Sequence, residues 1–341
     1  MLGLALRAPR LVVTTPRAVG VRTPYPAVPG AVRDWVDLTL GSPVVEHHDQ
    51  VGGMSPGCAT RVVCADGTRA FVKAVGKELN AHTPTLFRRE IMALDLLGSH
   101  PLWADLLASY DANGWVALIL EDVEGAHPDL SDDAVMDQLL RSTDELVEVM
   151  NARIPDLPRP ATQDESTVPL HRAGPTDLRR VYAAWLNGLD QAHVVPGDLM
   201  PAWVVERREE LRAGVAALAE EPVNHVVHWD IRNDNLLRRP TGDLVFLDWG
   251  AFGIGTGWLD PLLARLERVH LPWFDASLAS SPALAAAGDD RITSWLVGLG
   301  AQLAWRSHTA TDVNLPALKE FRRTESARFL AAAARRLDLG A

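Results

Sequence analysis

Apolar positions along the chain follow two rhythms, with the changeover near residue 130. From Val44 to about Leu120 they alternate with polar positions, the period of two that marks strands, with one helix interrupting. From Ser131 onward they recur at helical spacing, apart from a strand-like stretch over residues 225–250. A short amphipathic helix precedes the strands: Val32, Trp35, Val36 and Leu40 share one face, and Gly41 ends it. The interrupting helix reads TPTLFRREIMALDLL, with Thr83 as the expected cap, Pro84 in its first position and Gly98 as its stop. Leu86, Glu90, Leu94 and Leu97 fall on one face of it. A carboxylate inside an apolar stripe is costly unless a cation meets it. Residues 1–27 are rich in Pro, Thr and Arg without periodicity and read as a disordered leader. The pattern predicts an α+β chain: residues 28–122 as a small antiparallel-sheet lobe with one helix, residues 123–341 as a larger, mainly helical lobe.

Two hairpins stand out. In TRVVCADGTRAFVKAV, a two-residue type I′ turn centred between Asp66 and Gly67 sets Lys73 opposite Thr60. That register carries the lysine back to the glycine-rich GGMSPGC, residues 52–58, and makes it the candidate cation for Glu90. In HVVHWDIRNDNLLRRPTGDLVFLDWG, residues 225–250, a turn centred between Thr241 and Gly242 sets Asn235 opposite Asp248 at the open end of the hairpin. Asp230 precedes them in the HWDIRN loop. A carboxylate and an amide oxygen converging with room for water suit a hard, oxygen-seeking ion such as Mg2+, which takes one or two carboxylates plus substrate phosphates. Asp230 is then free to act on a substrate proton.

Composition narrows the classes. With 47% hydrophobic and 23% charged residues, the chain is globular, and no apolar run is long enough to span a membrane. The net charge is −11, and the first 33 residues hold five arginines and no acid, so the remainder carries −16. Such a balance argues against a nucleic-acid surface; it favours a cationic molecule on approach, or simply keeps the protein soluble. Two cysteines, Cys58 and Cys64, lie too far apart along one strand to bridge. Without an export signal the expected location is cytoplasmic, as a monomer or homodimer. GIGTG at 253–257 lacks the third glycine of a dinucleotide fingerprint, and no glycine-rich stretch ends as a Walker A motif. His228 reads as a brace for its loop, and Asp260 as a cap or a binder of loop amides. Trp273 or Trp295, with acids such as Glu267, Asp275, Asp289 and Asp312, are candidates for lining an acceptor cleft.

The loop HWDIRNDN has the shape H-x-D-x-x-x-x-N of protein kinases and small-molecule kinases, and LDWG stands where they carry D-F-G. With Lys73 in FVKAV, Glu90, the inter-lobe ALILEDVEG and GIGTGWLD, the chain resembles the aminoglycoside phosphotransferase family of kinase-like enzymes over residues 44–340. The resemblance implies a two-lobed protein-kinase-like fold with ATP and Mg2+ in the cleft, and transfer of the γ-phosphoryl group to a hydroxyl of a small-molecule acceptor. It implies Asp230 at the acceptor hydroxyl, Asn235 and Asp248 on Mg2+, and Lys73 on the α- and β-phosphates, positioned by Glu90. It further implies adenine at the backbone of Glu121, Asp122 and Val123, and a phosphate cover from Gly52, Gly53, Ser55 and Gly57. GGMSPG departs from the G-x-G-x-x-G of protein kinases, and Trp229 stands where many antibiotic kinases of the family have glycine. Alternatives are a metabolic kinase of choline, homoserine or sugar type, and a catalytically silent nucleotide-binding scaffold.

Overall fold

The computed structural model describes residues 21–160, 174–311 and 315–339. Helix α1 (Gly30–Leu40) is followed by strands β1 (Val44–Asp49), β2 (Cys58–Cys64) and β3 (Arg69–Gly76), helix α2 (Thr83–Leu97), and strands β4 (Leu106–Ala112) and β5 (Trp115–Leu120). The strands form one antiparallel sheet in the order β1-β2-β3-β5-β4. Both faces are covered. Trp115, Ala117 and Ile119 of β5 pack with Val32 and Val36 of α1, while Val116 and Leu118 share a core with Phe87, Ile91 and Leu94 of α2. This explains why β5 is buried along its whole length. The lobe thus holds both helices that the spacing predicts, one on each face of the sheet.

Three details differ from the pattern. Residues 21–27, assigned to the leader, lie against the sheet: Tyr25 is buried and its N–H donates to Asp49 at 3.1 Å. Residues 1–20 lie outside the described residues. Thr83 is the first residue of α2 and not its cap; Asn80 Oδ1 accepts from the His82 and Thr83 N–H groups instead. Leu86 points outward, 43% exposed, whereas Glu90, Leu94 and Leu97 are buried.

Helices α3 (Asp133–Arg153), α4 (Leu178–Asp190), α5 (Ala202–Glu206) and α6 (Arg208–Ala219) open the second lobe. Helices α7 (Leu259–Leu263), α8 (Pro272–Leu278), α9 (Pro282–Ala287), α10 (Asp289–Thr309) and α11 (Leu318–Arg336) complete it. Between these sets, β8 (Leu236–Arg238) pairs with β9 (Leu244–Phe246), and β10 (Gly253–Gly255) lies between β6 (Thr176–Asp177) and β7 (His225–Val227). The core of this lobe is continuous with that under α2, and Trp103 meets Trp249 edge-on at 5.6 Å across the junction. The linker after β5 is pinned to β8, Ala126 and Arg238 exchanging backbone hydrogen bonds of 3.2 and 2.8 Å. Among the described residues no helix is long and apolar enough to cross a membrane. Both cysteines are buried and free.

Candidate active site

The two hairpins that deliver the site share one departure from expectation. Lys73 pairs with Ala59, not Thr60, and Asn235 O accepts the Leu247 N–H at 2.8 Å, so that Leu247, not Asp248, stands opposite it. In each hairpin the turn has three residues, not two. Gly67 N–H closes on Cys64 O and Gly242 N–H on Arg239 O, both at 2.9 or 2.8 Å, and the glycines alone take left-handed φ of +89° and +100°. A type I turn followed by a left-handed glycine bulge adds one residue to the loop and moves the register by one.

That shift releases Asp248 from the ladder. Its φ of +60° turns the carboxylate, 50% exposed, into the space between the lobes. Lys73 Nζ meets Asp248 Oδ1 at 3.3 Å and Glu90 Oε2 at 2.5 Å, so the buried Glu90 has its cation. The Phe87 ring lies 5.1 Å from Nζ. Burial alone would depress the Lys73 ammonium, but Asp248 and Glu90 outweigh it and hold the group above its ordinary value. Crowding likewise opposes ionisation of Asp248, and Lys73 overrides it, holding the carboxyl below the usual range.

The loop from His228 to Asn235 is held from behind. Asp260, fully buried on α7, accepts from the His228 N–H at 2.8 Å and the Trp229 N–H at 3.0 Å. It therefore serves as the binder of loop amides anticipated for it, and burial raises its carboxyl to about 6. The buried His228 ring accepts from the Asp230 N–H through Nδ1 (3.2 Å) and faces Leu247 O through Nε2 (3.1 Å), which assigns the proton to Nε2. Burial lowers this imidazole to about 4, so it braces the loop as a neutral ring. Trp229 takes φ +68°, a conformation natural to glycine, and is packed against Trp185, Tyr182 and Trp295.

Asp230 is thereby presented towards Asn235, whose Nδ2 donates to Asp230 Oδ2 at 2.8 Å and to its carbonyl at 2.9 Å. Arg232 Nε lies 3.0 Å from the other carboxylate oxygen, and Arg232 also reaches Asp234 at 3.3 Å. Burial raises the Asp230 carboxyl to about 6 against the pull of Arg232. With Nδ2 spent on Asp230, Asn235 has its Oδ1 left as an oxygen donor.

A cavity of about 460 Å³ between the lobes is lined by Lys73, Glu90, Asn235, Asp248, Gly52, Gly53, Glu121 and Val123. Its walls are otherwise largely apolar, from Ala59, Phe71 and Leu120 above to Leu237 and Phe246 below, a composition suited to a flat heterocycle. Asp122 is the exception at the linker. Its carboxylate turns to the outer side, where Arg69 (2.8 Å) and Arg61 (3.4 Å) hold it. Ser55 and Gly57 do not line the cavity either: Ser55 Oγ accepts the Gly57 N–H at 3.2 Å, and Gly57 lies against the β3 backbone.

The proposed acceptor-cleft residues do not assemble. Trp295 is fully buried core, Trp273 lies under Arg268, and Asp275 and Asp289 are neutralised by Arg335 and Arg336. Glu267 accepts the Asn233 N–H at 3.0 Å, and Asp312 lies outside the described residues. Three polar groups at the site were not anticipated. Arg232 and Asp234 are in the quoted loop, where the dense alternation of charge was the available signal; Arg22 lines the cavity from a segment with no periodicity.

No protein-family model matches this chain, and no curated protein matches it in sequence. Solved structures match its shape. Choline kinase LicA from Streptococcus pneumoniae aligns with a TM-score of 0.55 at 13% identity, over 88% of this chain and 98% of its own. Amicoumacin kinase hAmiN, solved with AMP-PNP, Ca2+ and Ami, aligns at 0.53 and 13% identity, over 87% and 92%. Spectinomycin phosphotransferase APH(9)-Ia, solved with ADP and spectinomycin, aligns at 0.51 and 11% identity, over 89% and 97%. At such identities the likeness concerns the fold. The chain has the two-lobed fold of kinase-like small-molecule phosphotransferases.

Proposed function

We propose that this protein is an ATP-dependent phosphotransferase that moves the γ-phosphoryl group to a hydroxyl of a small molecule. The observation that carries the reading is the convergence of Lys73, Asn235 and Asp248 on one inter-lobe cavity, with Asp230 hydrogen-bonded to Asn235 at its edge. Phosphoryl transfer needs little from a protein beyond positioning and neutralisation of charge. Lys73, locked by Glu90, supplies a fixed positive charge for phosphate oxygens. The apolar end beside Glu121 and Val123 receives adenine, and Gly52 and Gly53 cover the phosphate end.

The oxygen donors fit Mg2+: Asp248 offers an ionised carboxylate and Asn235 an amide oxygen. Among the described residues no group of three or more His, Cys, Asp or Glu is arranged to hold a metal, so the ion would rely on phosphate oxygens for the rest of its shell. When bound, Mg2+ neutralises charge on the polyphosphate. Asp230 accepts the proton of the acceptor hydroxyl, and a carboxyl near 6 is ionised at neutral pH while remaining a competent base. The named neighbours, a choline kinase, an amicoumacin kinase and a spectinomycin phosphotransferase, support a small-molecule acceptor over a protein one. A catalytically silent scaffold is disfavoured by the complete set Lys73, Asp230, Asn235 and Asp248.

The test is a phosphorylation screen with γ-labelled ATP and Mg2+ over aminoglycosides, macrolides, amino alcohols and sugars. One acceptor class should become labelled. Asp230→Ala should abolish labelling and keep nucleotide affinity, whereas Asp248→Ala should weaken Mg-ATP binding itself. Parent-level turnover in the Asp230 variant overturns the assignment of roles, and Mg-ATP binding without any turnover favours the scaffold.

A further inference from the structure

The segment ahead of α1 is fastened to the glycine-rich turn over the cavity. The Thr23 N–H and Oγ1 both donate to Pro56 O at 3.0 Å, and Tyr25 is anchored behind them on Asp49. This places Arg22 over the turn. Its Nε donates to Gly52 O at 2.6 Å, its Nη1 to Gly57 O at 3.5 Å, and the side chain lines the same cavity as Lys73 and Asp248. Gly53, at φ +84°, leaves the space that Nη2 occupies; a Cβ there would overlap it.

Among the described residues, three permanent cations line the cavity, and they differ in what neutralises them. Lys73 is paired with Glu90 and Asp248, and Arg61 sits against Asp122 and Val123 O. Arg22 hydrogen-bonds to backbone carbonyls only, among the described residues, and the acid whose charge favours it, Asp248, is already paired with Lys73. A guanidinium presents five donors in a fork suited to phosphate oxygens, and those left over by two carbonyls call for an anion. The turn itself is short of donors. Pro56 has no N–H, and the Gly57 N–H is taken by Ser55 Oγ, so fewer amides remain than a G-x-G-x-x-G loop would present.

Taking the cavity as the ATP site, we propose that Arg22 is a nucleotide ligand whose guanidinium binds the β- and γ-phosphates in place of the missing loop amides. The base end is marked by Glu121 and Val123 and the phosphate end by Lys73 and Asp248, and Arg22 belongs to the latter. A residue ahead of the sheet lobe thereby completes the site.

Calorimetric titration of ATP, ADP and adenosine, with Mg2+ present, into the full chain and its Arg22→Met and Arg22→Lys variants tests this without recourse to turnover. A charge-assisted hydrogen bond to phosphate predicts a loss of about 10- to 100-fold in ATP and ADP affinity for Arg22→Met. Adenosine affinity should stay within about 2-fold, since no contact to the base or ribose is removed. Arg22→Lys keeps the charge without the fork and should fall between the two. Should Arg22→Met fail to fold, the lysine variant carries the test by the same ATP-against-adenosine split. Unchanged ATP affinity overturns the proposal. So does an equal loss for adenosine, which marks Arg22 as a latch on the turn. A parent protein that binds no adenine nucleotide overturns the ATP-site reading and this proposal together, whereas a parent that binds ATP beside an indifferent variant sinks only the role of Arg22.

Discussion

Lys73→Met isolates the electrostatics of the buried pair. Glu90 is 2% exposed, and without Lys73 it has two courses. Remaining ionised and unpaired in the interior costs about 3–5 kcal/mol. Taking a proton at pH 7, from an ordinary value of 4.5, costs about 3.4 kcal/mol at 1.36 kcal/mol per pH unit. The cheaper course sets the loss, so Lys73→Met should destabilise the fold by about 3 kcal/mol at pH 7. The sign of the pH dependence follows. In the variant the folded-state value of Glu90 is raised above its unfolded value, so the folded protein binds the extra proton and its stability falls as pH rises above 4.5. At pH 5 protonation costs only about 0.7 kcal/mol, and most of the deficit should vanish. Lys73→Met/Glu90→Gln has no charge to protonate and should regain most of the pH 7 loss, with no such pH dependence. Urea unfolding followed by tryptophan fluorescence reads this out, since Trp35 and Trp115 lie in the sheet lobe; about 3 kcal/mol corresponds to a midpoint shift of about 1 M or more. A variant as stable as its parent at pH 7, or a deficit equal at pH 5 and pH 7, would refute the reasoning.

Further predictions concern the loop and the turn. With Asp230 titrating near 6, kcat/KM should fall about tenfold per pH unit below that value and level off above it, and Arg232→Met should move the limb upward because Arg232 favours the carboxylate; a limb near 4 in the parent counts against the assignment. Asp260→Ala strips the acceptors from the His228 and Trp229 N–H groups at about 1.5–3 kcal/mol each, and should lower kcat while nucleotide affinity persists. An effect confined to the KM of the acceptor would make Asp260 a substrate ligand instead. Gly57→Ala sets a Cβ 2.5 Å from Ala74 O, a backbone atom that cannot swing aside, and should cost about 1–3 kcal/mol in thermal unfolding; an unchanged melting temperature would show that the turn stands clear of β3.

Within the site, some residues were legible in the sequence because their chemistry is local. The apolar stripe of α2 made Glu90 conspicuous as a carboxylate needing a cation, and Lys73 on the nearby hairpin was the one placed to serve. Asp230 and Asn235 lie in one eight-residue loop, so their proximity is nearly covalent. The register was misjudged by one residue in both hairpins, since a glycine after an Asp or Thr serves a two-residue turn and a three-residue bulged turn alike. Gly67 and Gly242 show the choice only through the backbone angles of their neighbours.

The alternation of strands, the helical spacing beyond residue 131, and the loop that carries Asp230 and Asn235 were determined by sequence alone, because each depends on neighbours a few positions apart. The outward turn of Asp122, the packing of Gly57 and the neutralisation of Asp275 and Asp289 by Arg335 and Arg336 were decided only in three dimensions. So was the arrival of Arg22 in the cavity. These depend on partners tens or hundreds of positions away, and on which face of an element burial leaves free. Side-chain charge is a property of the sequence; whether it meets a carboxylate, a carbonyl or an open cavity is a property of the packing.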